Sequence, residues 1–369
     1  MSDAATVLER CARLGEISEE PGLLVRRYGT DAMRRANELV TGWMEEAGLA
    51  THEDAVGNLI GRRGEGRPLM LGSHLDTVRG AGRYDGPLGV MVAIAAAERA
   101  RDVALEVAGF ADEEGLRFGT VYLGSAAVAG RFDPAWPNLR DNDGVRLGDL
   151  LRGDPATAAR DVRAYAEVHI EQGPVLERLG EPLAVVTAIN GQSHADVAFL
   201  GEAGHAGTMP FDMRRDALAA AAEWVLAVEG TGTVGRLTVE PGGRNVIPGA
   251  ARLTLDVRDE DDRRRRAAVA RLRERAHDVA AQRGVRVEWT DRSDIPAVAM
   301  DERLGAAWGV ATRLASGAGH DAAMMASIAP ATMLFVRCRG GISHNPAEAV
   351  EEADVAVAID ALERFVRAV

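Results

Sequence analysis

Four short apolar runs, each closing on or just before a cluster of histidine or carboxylate, constrain this chain more than any other feature. They are Pro68-Leu-Met-Leu-Gly-Ser-His74, Ala104-Leu-Glu-Val-Ala-Gly-Phe110, Tyr165-Ala-Glu-Val-His169 and Ala331-Thr-Met-Leu-Phe-Val336. Near-continuous apolar runs of this length predict strands buried on both faces. Helical stretches separate several of them. Thr30 to Ala47 has Thr30 as N-cap and Gly48 as stop, Leu88 to Arg101 is Ala-rich, and a shorter helix opens near Gly124. Strands alternating with helices predict an α/β fold with a doubly wound, largely parallel sheet. In such sheets ligands gather at the carboxyl ends of the strands.

Between Ile189 and Asp294 the rhythm changes. His194 to Leu200 alternates like a half-exposed strand, Arg215 to Glu229 is a helix, and Gly235 to Glu240 and Ala251 to Arg258 are strands. A highly charged helix, Glu260 to Arg283, and an alternating strand, Val285 to Thr290, complete a β-α-β-β-α-β order. That order predicts a ferredoxin-like unit. Residues 1–188 and 295–369 then form a discontinuous first domain, with 189–294 inserted as a second domain, a lid. Arg263 to Arg266, flanked by acids, reads as a solvated helix face.

The clusters after the runs carry the chemistry. His74 lies in Gly72-Ser-His-Leu-Asp-Thr77, Asp85 in Arg83-Tyr-Asp-Gly86, and Glu113 and Glu114 in Phe110-Ala-Asp-Glu-Glu-Gly115. His169 opens His169-Ile-Glu-Gln-Gly173, and His344 stands in Gly340-Gly-Ile-Ser-His-Asn-Pro346. Any one histidine alone is more often a core or surface residue than a ligand. Five coincident strand-end clusters point instead to Zn²⁺, Mn²⁺ or Co²⁺, which take imidazole and carboxylate when no thiolate is offered. Two such ions about 3.5–4 Å apart need a bridging carboxylate. They also need a second carboxylate left free as general base, and the adjacent Glu113 and Glu114 point in different directions as a strand ends.

Other chemistries drop out. All 43 basic residues are arginine, so no Schiff-base lysine, Ser-Lys dyad or Walker A loop exists. A net charge of −13 disfavours nucleic acid and anionic membranes. The longest apolar run, Val90 to Ala97, is far short of the ~18 residues of a membrane span. Cys11 and Cys338 form no CxxC pair. A cytoplasmic location is expected. Gly80-Ala-Gly-Arg-Tyr-Asp-Gly86 has one residue too many for a dinucleotide fingerprint, and Gly191-Gln-Ser-His-Ala195 is no nucleophile elbow.

The motifs Gly-Ser-His-Leu-Asp-Thr, Tyr-Asp-Gly, Asp-Glu-Glu-Gly-Leu-Arg-Phe, His-Ile-Glu-Gln-Gly-Pro and Gly-Ile-Ser-His-Asn-Pro-Ala-Glu occur here in order. With them the sequence resembles the M20 family of dinuclear metallo-amidohydrolases over essentially its whole length. The resemblance is to the branch holding allantoate amidohydrolases, N-carbamoyl-L-amino acid hydrolases and β-ureidopropionases, which His169 in place of an acid marks. It implies two divalent ions per subunit, Zn²⁺ or Mn²⁺ with Co²⁺ a third option. His74, Asp85 and His169 would hold one, and Asp85, Glu114 and His344 the other. Glu113 would be the general base, and Asp76 would orient the His74 imidazole.

Around them the resemblance places Gln172 in the substrate pocket. Gly319 falls in the glycine loop Ser316-Gly-Ala-Gly-His-Asp-Ala322 over the substrate, with His320 behind it. His205, in the lid loop Gly204-His-Ala-Gly-Thr-Met-Pro210, would reach a substrate carbonyl, typically in the partner subunit. Asn245 and Arg258 would grip the substrate carboxylate, Arg258 through its planar fork unless Asp256 or Asp259 pairs with it. Departures are His194, where relatives often carry Arg, and Gly242-Gly243. The implied reaction is hydrolysis of a ureido group on a small carboxylate, with allantoate first. An N-carbamoyl-L-amino acid or 3-ureidopropionate is the alternative, and an M20-type peptidase or a non-catalytic metal-binding protein is more remote. The expected partner is a second copy of the chain, joined through the lid.

Overall fold

The computed structural model describes residues 2–369 and divides into two compact units. The first ends at Thr187 and resumes at Met300, and the second is Ala188–Ala299. The boundary expected after residue 294 falls inside a strand that runs on to Ile295.

The strands of the first unit are β1 (Ala50–Glu53), β2 (Leu59–Arg63), β3 (Leu69–His74), β4 (Leu105–Phe110), β5 (Ala164–Ile170) and β6 (Leu183–Ile189). Those of the second are β7 (Gly191–Leu200), β8 (Gly204–His205), β9 (Thr233–Glu240), β10 (Val246–Ile247), β11 (Ala250–Asp259), β12 (Arg286–Ile295) and β13 (Val298–Ala299). The chain then returns to the first unit with β14 (Arg313–Ser316) and β15 (Ala331–Val336).

In the first unit the strand order is β1-β2-β4-β3-β5-β15-β6, with β14 also on β6. The four expected runs are its parallel centre, β4, β3, β5 and β15. Every residue of these four strands is buried, which is why they read as continuous apolar runs. The sheet is more mixed than expected, since β2 runs antiparallel to β4 and β6 antiparallel to β15. Helices Asp3–Gly15, Pro87–Arg99 and Glu352–Ala368 pack together over one face, where Val90, Ile94, Ile359 and Phe365 meet Leu71, Val107, Val168 and Leu334. Each such side chain contributes ~1.5–3 kcal/mol by leaving water. The short helix Ala322–Met325 lies against β5 and β15, with Leu123–Val128 beside it.

Parallel register fixes the position of the clusters. His74 pairs with Phe110 and His169 with Phe335, so the segments that follow β3, β4, β5 and β15 leave one common edge.

The second unit is a four-stranded antiparallel sheet in the order β12-β7-β11-β9, the ferredoxin-like arrangement expected. Helices Ala217–Val228 and Asp262–Gln282 cover it around Phe199, Trp224, Leu255 and Leu272. Asp216 and Asp261 cap these helices by accepting backbone N–H groups of their first turns. β13 closes the unit by pairing Val298 with Ile189 and Ala299 with Ala188. Among the described residues no helix is long and apolar enough to cross a membrane.

Candidate metal centre

His74 is the last residue of β3. Its Nδ1 donates to the Asp76 carbonyl at 3.0 Å, which leaves Nε2 facing Asp85 Oδ1 at 3.7 Å. His169 repeats the device: Nδ1 donates to the Ile170 carbonyl at 3.0 Å, and Nε2 lies 3.2 Å from the same Asp85 oxygen. Because a carbonyl can only accept, both rings carry their proton on Nδ1 and turn a lone pair inward. On the other side of Asp85, His344 Nε2 stands 3.2 Å from Oδ2 and 3.4 Å from Glu114 Oε1. Two triads result, His74-Asp85-His169 and Asp85-Glu114-His344, each with ligand atoms within 4.8 Å of one another. Asp85 is shared, with one oxygen turned to each.

Two neighbours fix that carboxylate. Gln172 Nε2 donates to Asp85 Oδ2 at 2.8 Å and Ser343 Oγ at 2.5 Å. Gly86 follows with φ of +82°, and a Cβ there would meet the His74 ring at 2.5 Å. Only glycine allows both the backbone turn and the close approach.

Glu113 and Glu114 leave β4 on a loop held by Asp76. Asp76 Oδ1 accepts the Glu113 N–H at 3.1 Å and Oδ2 the Glu114 N–H at 3.2 Å. Asp76 also reaches the His74 ring. Its carbonyl orients His74, while the nearest carboxylate oxygen stands 3.6 Å from Nδ1. The short turn after β3 folds the carbonyl back to the ring and frees the carboxylate for the neighbouring loop. Glu113 is also close enough to His74 and Glu114 to form a third ligand-like group.

The electrostatics fit a cation. Burial alone would raise the Asp85 carboxyl, but the imidazoles of His169, His344 and His74 that face it hold it well below the usual range. Asp85 and Glu114 push the His344 imidazole up to about 10. Burial pushes Glu113 well above the ordinary glutamate range, and the neighbouring His74 opposes that rise. His169 Nε2 is buried and makes no hydrogen bond, an acceptor aimed at the shared space. Nitrogen and oxygen donors without thiolate suit Zn²⁺, Mn²⁺ or Co²⁺. A fourth group, Glu167, His169 and His320, is committed elsewhere. Ser73, Tyr165 and the Ala322 N–H occupy the Glu167 carboxylate, and Ser316 Oγ lies 2.8 Å from His320 Nε2. His320 packs edge-on against His169, with centroids 4.5 Å apart.

Of the residues expected to meet substrate, Gln172 and Gly319 belong to the first unit and His205, Asn245 and Arg258 to the second. Gln172 lies beside Asp85 with φ of +57°. Gly319 is in the first unit, where a Cβ would come 1.7 Å from the Tyr122 hydroxyl. In the second unit the β8–β10 ladder pairs His205 with Val246, and the Asn245 carbonyl accepts the Ala206 N–H at 2.9 Å. His205 and Asn245 are thus neighbours. Arg258, at the end of β11, forks onto Asp256, with Nε to Oδ2 at 3.0 Å and Nη2 to Oδ2 at 2.8 Å. His194 Nε2 approaches the same carboxylate at 3.6 Å. Sequence reasoning passed over Ser343, although it precedes His344 inside the motif; its signal was that adjacency.

A parallel-centred α/β unit, interrupted by a ferredoxin-like insertion and carrying a histidine–carboxylate cluster at its strand ends, defines a hydrolase. The chain belongs to the family described as Peptidase family M20/M25/M40, whose model matches residues 70–368. It is 37% identical to an allantoate deiminase of Arabidopsis thaliana, over 95% of this chain and 79% of the relative. It is 38% identical to an N-carbamoyl-L-amino acid amidohydrolase of Geobacillus stearothermophilus, over 96% of this chain and 95% of the relative. Among solved structures it resembles a hydantoinase/carbamoylase-family amidase from Burkholderia multivorans, with a TM-score of 0.93, 31% identity and coverage of 98% and 97%.

Proposed function

We propose that the chain hydrolyses the ureido group of a small carboxylate, R–NH–CO–NH₂ + H₂O → R–NH₂ + CO₂ + NH₃, with allantoate as first substrate. The observation that carries this reading is the division of Asp85 between two ligand sets, with Glu113 left over beside them. The names of the relatives support the substrate class.

His74, Asp85 and His169 would hold one divalent ion, and Asp85, Glu114 and His344 the other. When bound, the pair supplies Lewis-acid polarisation of the carbonyl and acidification of water. Glu113 does the proton work. Its burial raises its proton affinity, and it accepts a proton from the attacking water and returns it to the leaving nitrogen. Gln172 and Ser343 keep Asp85 from rotating away. His205 donates to the developing oxyanion. Arg258 exchanges Asp256 for the substrate carboxylate, which Asn245 helps to grip.

The N-carbamoyl-L-amino acids are the second reading, favoured by the near full-length match to the Geobacillus relative. Ammonia release from allantoate and from a panel of N-carbamoyl-L-amino acids, by protein reloaded with Mn²⁺, decides between them. Allantoate turning over with the higher kcat/KM supports the first, an N-carbamoyl amino acid the second. Release from neither overturns both.

A dimer through the second unit belongs to the same proposal. β9 is an edge strand with Leu237 exposed, and Leu226 is exposed on the helix Ala217–Val228. A strictly monomeric yet fully active protein in solution scattering refutes it.

A further inference from the structure

Glu348 takes no part in the two ligand triads, yet it touches both segments that carry them. It lies four residues past His344, before the last helix, and only 4% of its surface is exposed. Its Oε1 accepts the N–H of Tyr84 at 2.7 Å and that of Asp85 at 3.1 Å. Its own N–H donates to the Asn345 carbonyl at 3.0 Å, which closes the turn just after His344. The facing loop is shaped around it. A Cβ on Gly82 would lie 2.3–2.4 Å from Glu348 Cβ, Cδ and Oε1, so any larger residue there must displace the carboxylate. A buried carboxylate is a costly way to fill space. Here it satisfies two backbone donors next to the shared ligand.

We propose that Glu348 is a positioning residue, a clasp that ties the Asp85 loop to the His344 segment and sets the bridging carboxylate between its two ligand sets. The proposal rests on the reading of the cluster as a cation site. Glu348 acts through the two amides and contacts neither substrate nor cation. What the clasp needs is an acceptor oxygen of the right reach, so glutamine substitutes for glutamate and methionine, of similar volume, does not. Outer residues that orient ligands typically cost 10–100-fold in metal affinity when lost.

The test is equilibrium binding of Mn²⁺ to the chelator-stripped full chain, native and variant, followed by titration calorimetry and by the spectrum of free Mn²⁺. Glu348→Gln is expected within about threefold of native affinity, and Glu348→Met weakened by about tenfold or more. Gly82→Ala, which pushes the carboxylate aside without removing it, is expected to follow Glu348→Met. In turnover, Glu348→Met loses kcat that added Mn²⁺ restores, while KM stays near native. Native affinity in Glu348→Met overturns the clasp. An equal loss in Glu348→Gln and Glu348→Met overturns it too, because charge rather than amide acceptance would then be at work. Should Glu348→Met fail to fold, Gly82→Ala decides, and native affinity there counts against the proposal. If native protein binds no Mn²⁺, the cation reading itself falls and takes the clasp with it.

Discussion

Asp76→Asn separates two ways in which this aspartate can serve the cluster. In the structure its carboxylate accepts one amide on each oxygen, Glu113 N–H at 3.1 Å and Glu114 N–H at 3.2 Å, and the residue is 1% exposed. Asparagine keeps one acceptor and turns an NH₂ toward the other amide. A hydrogen bond to a charged group contributes about 1.5–3 kcal/mol, and a buried N–H left unpaired costs about 1–3 kcal/mol. The two losses overlap because the loop can relax, so the net cost is about 2–4 kcal/mol. For a unit of this size that lowers the thermal midpoint by about 5–10 °C. The assay is the melting of chelator-stripped native and variant protein, followed by circular dichroism, with Mn²⁺ affinity measured alongside. Both midpoint and affinity should fall. If the midpoint holds and only affinity falls, the carboxylate acts on the His74 ring alone, and the hold on the Glu113–Glu114 loop argued from the two amides is wrong.

Gly86→Ala places a methyl against the His74 ring at 2.5 Å on a backbone with φ of +82°. Calorimetry should show loss of one Mn²⁺ equivalent, and two retained equivalents would contradict the packing. Arg26→Met removes donors from the Leu75, Leu14 and Ile17 carbonyls, contacted at 2.8, 2.8 and 3.1 Å. It should destabilise the stripped protein by about 3 kcal/mol in urea unfolding. In stripped protein the His344 imidazole is pushed up to about 10 by Asp85 and Glu114, above its value in the unfolded chain. The folded state therefore binds more protons between about pH 6.5 and 10. That contribution is fully present below the unfolded pKa and fades as pH rises through this window, and His344→Gln should flatten the slope. Over the same window Mn²⁺ affinity of native protein should rise with pH, since the ion displaces the proton.

The central strands were legible because burial on both faces leaves unbroken apolar runs, as in Leu69–Leu71 and Met333–Val336. β1 was not, since Ala50–Glu53 is polar and pairs only along one edge. β6 escaped although Leu183–Ile189 is apolar. The candidate ligands could be named because each closes a strand or stands in a dense motif, while their sorting into two sets was implied only by the family resemblance. The division of Asp85 between its two oxygens could not, since it depends on loops closing from four strands. Asp76 shows the same limit. Spacing places it beside His74, but only the turn after β3 decides whether carbonyl or carboxylate faces the ring. The Arg258–Asp256 pair was one of two outcomes the sequence left open, because β11 puts residues two apart on one face.

Glu113→Gln tests the assigned chemistry most directly. Glutamine keeps the shape of the side chain but cannot take a proton. Mn²⁺ equivalents per chain and ammonia released from the best ureido substrate are measured on the same reloaded sample. Two equivalents retained, with turnover lowered by at least about 100-fold, is the predicted result. Two equivalents with native turnover would show that Glu113 is not the base.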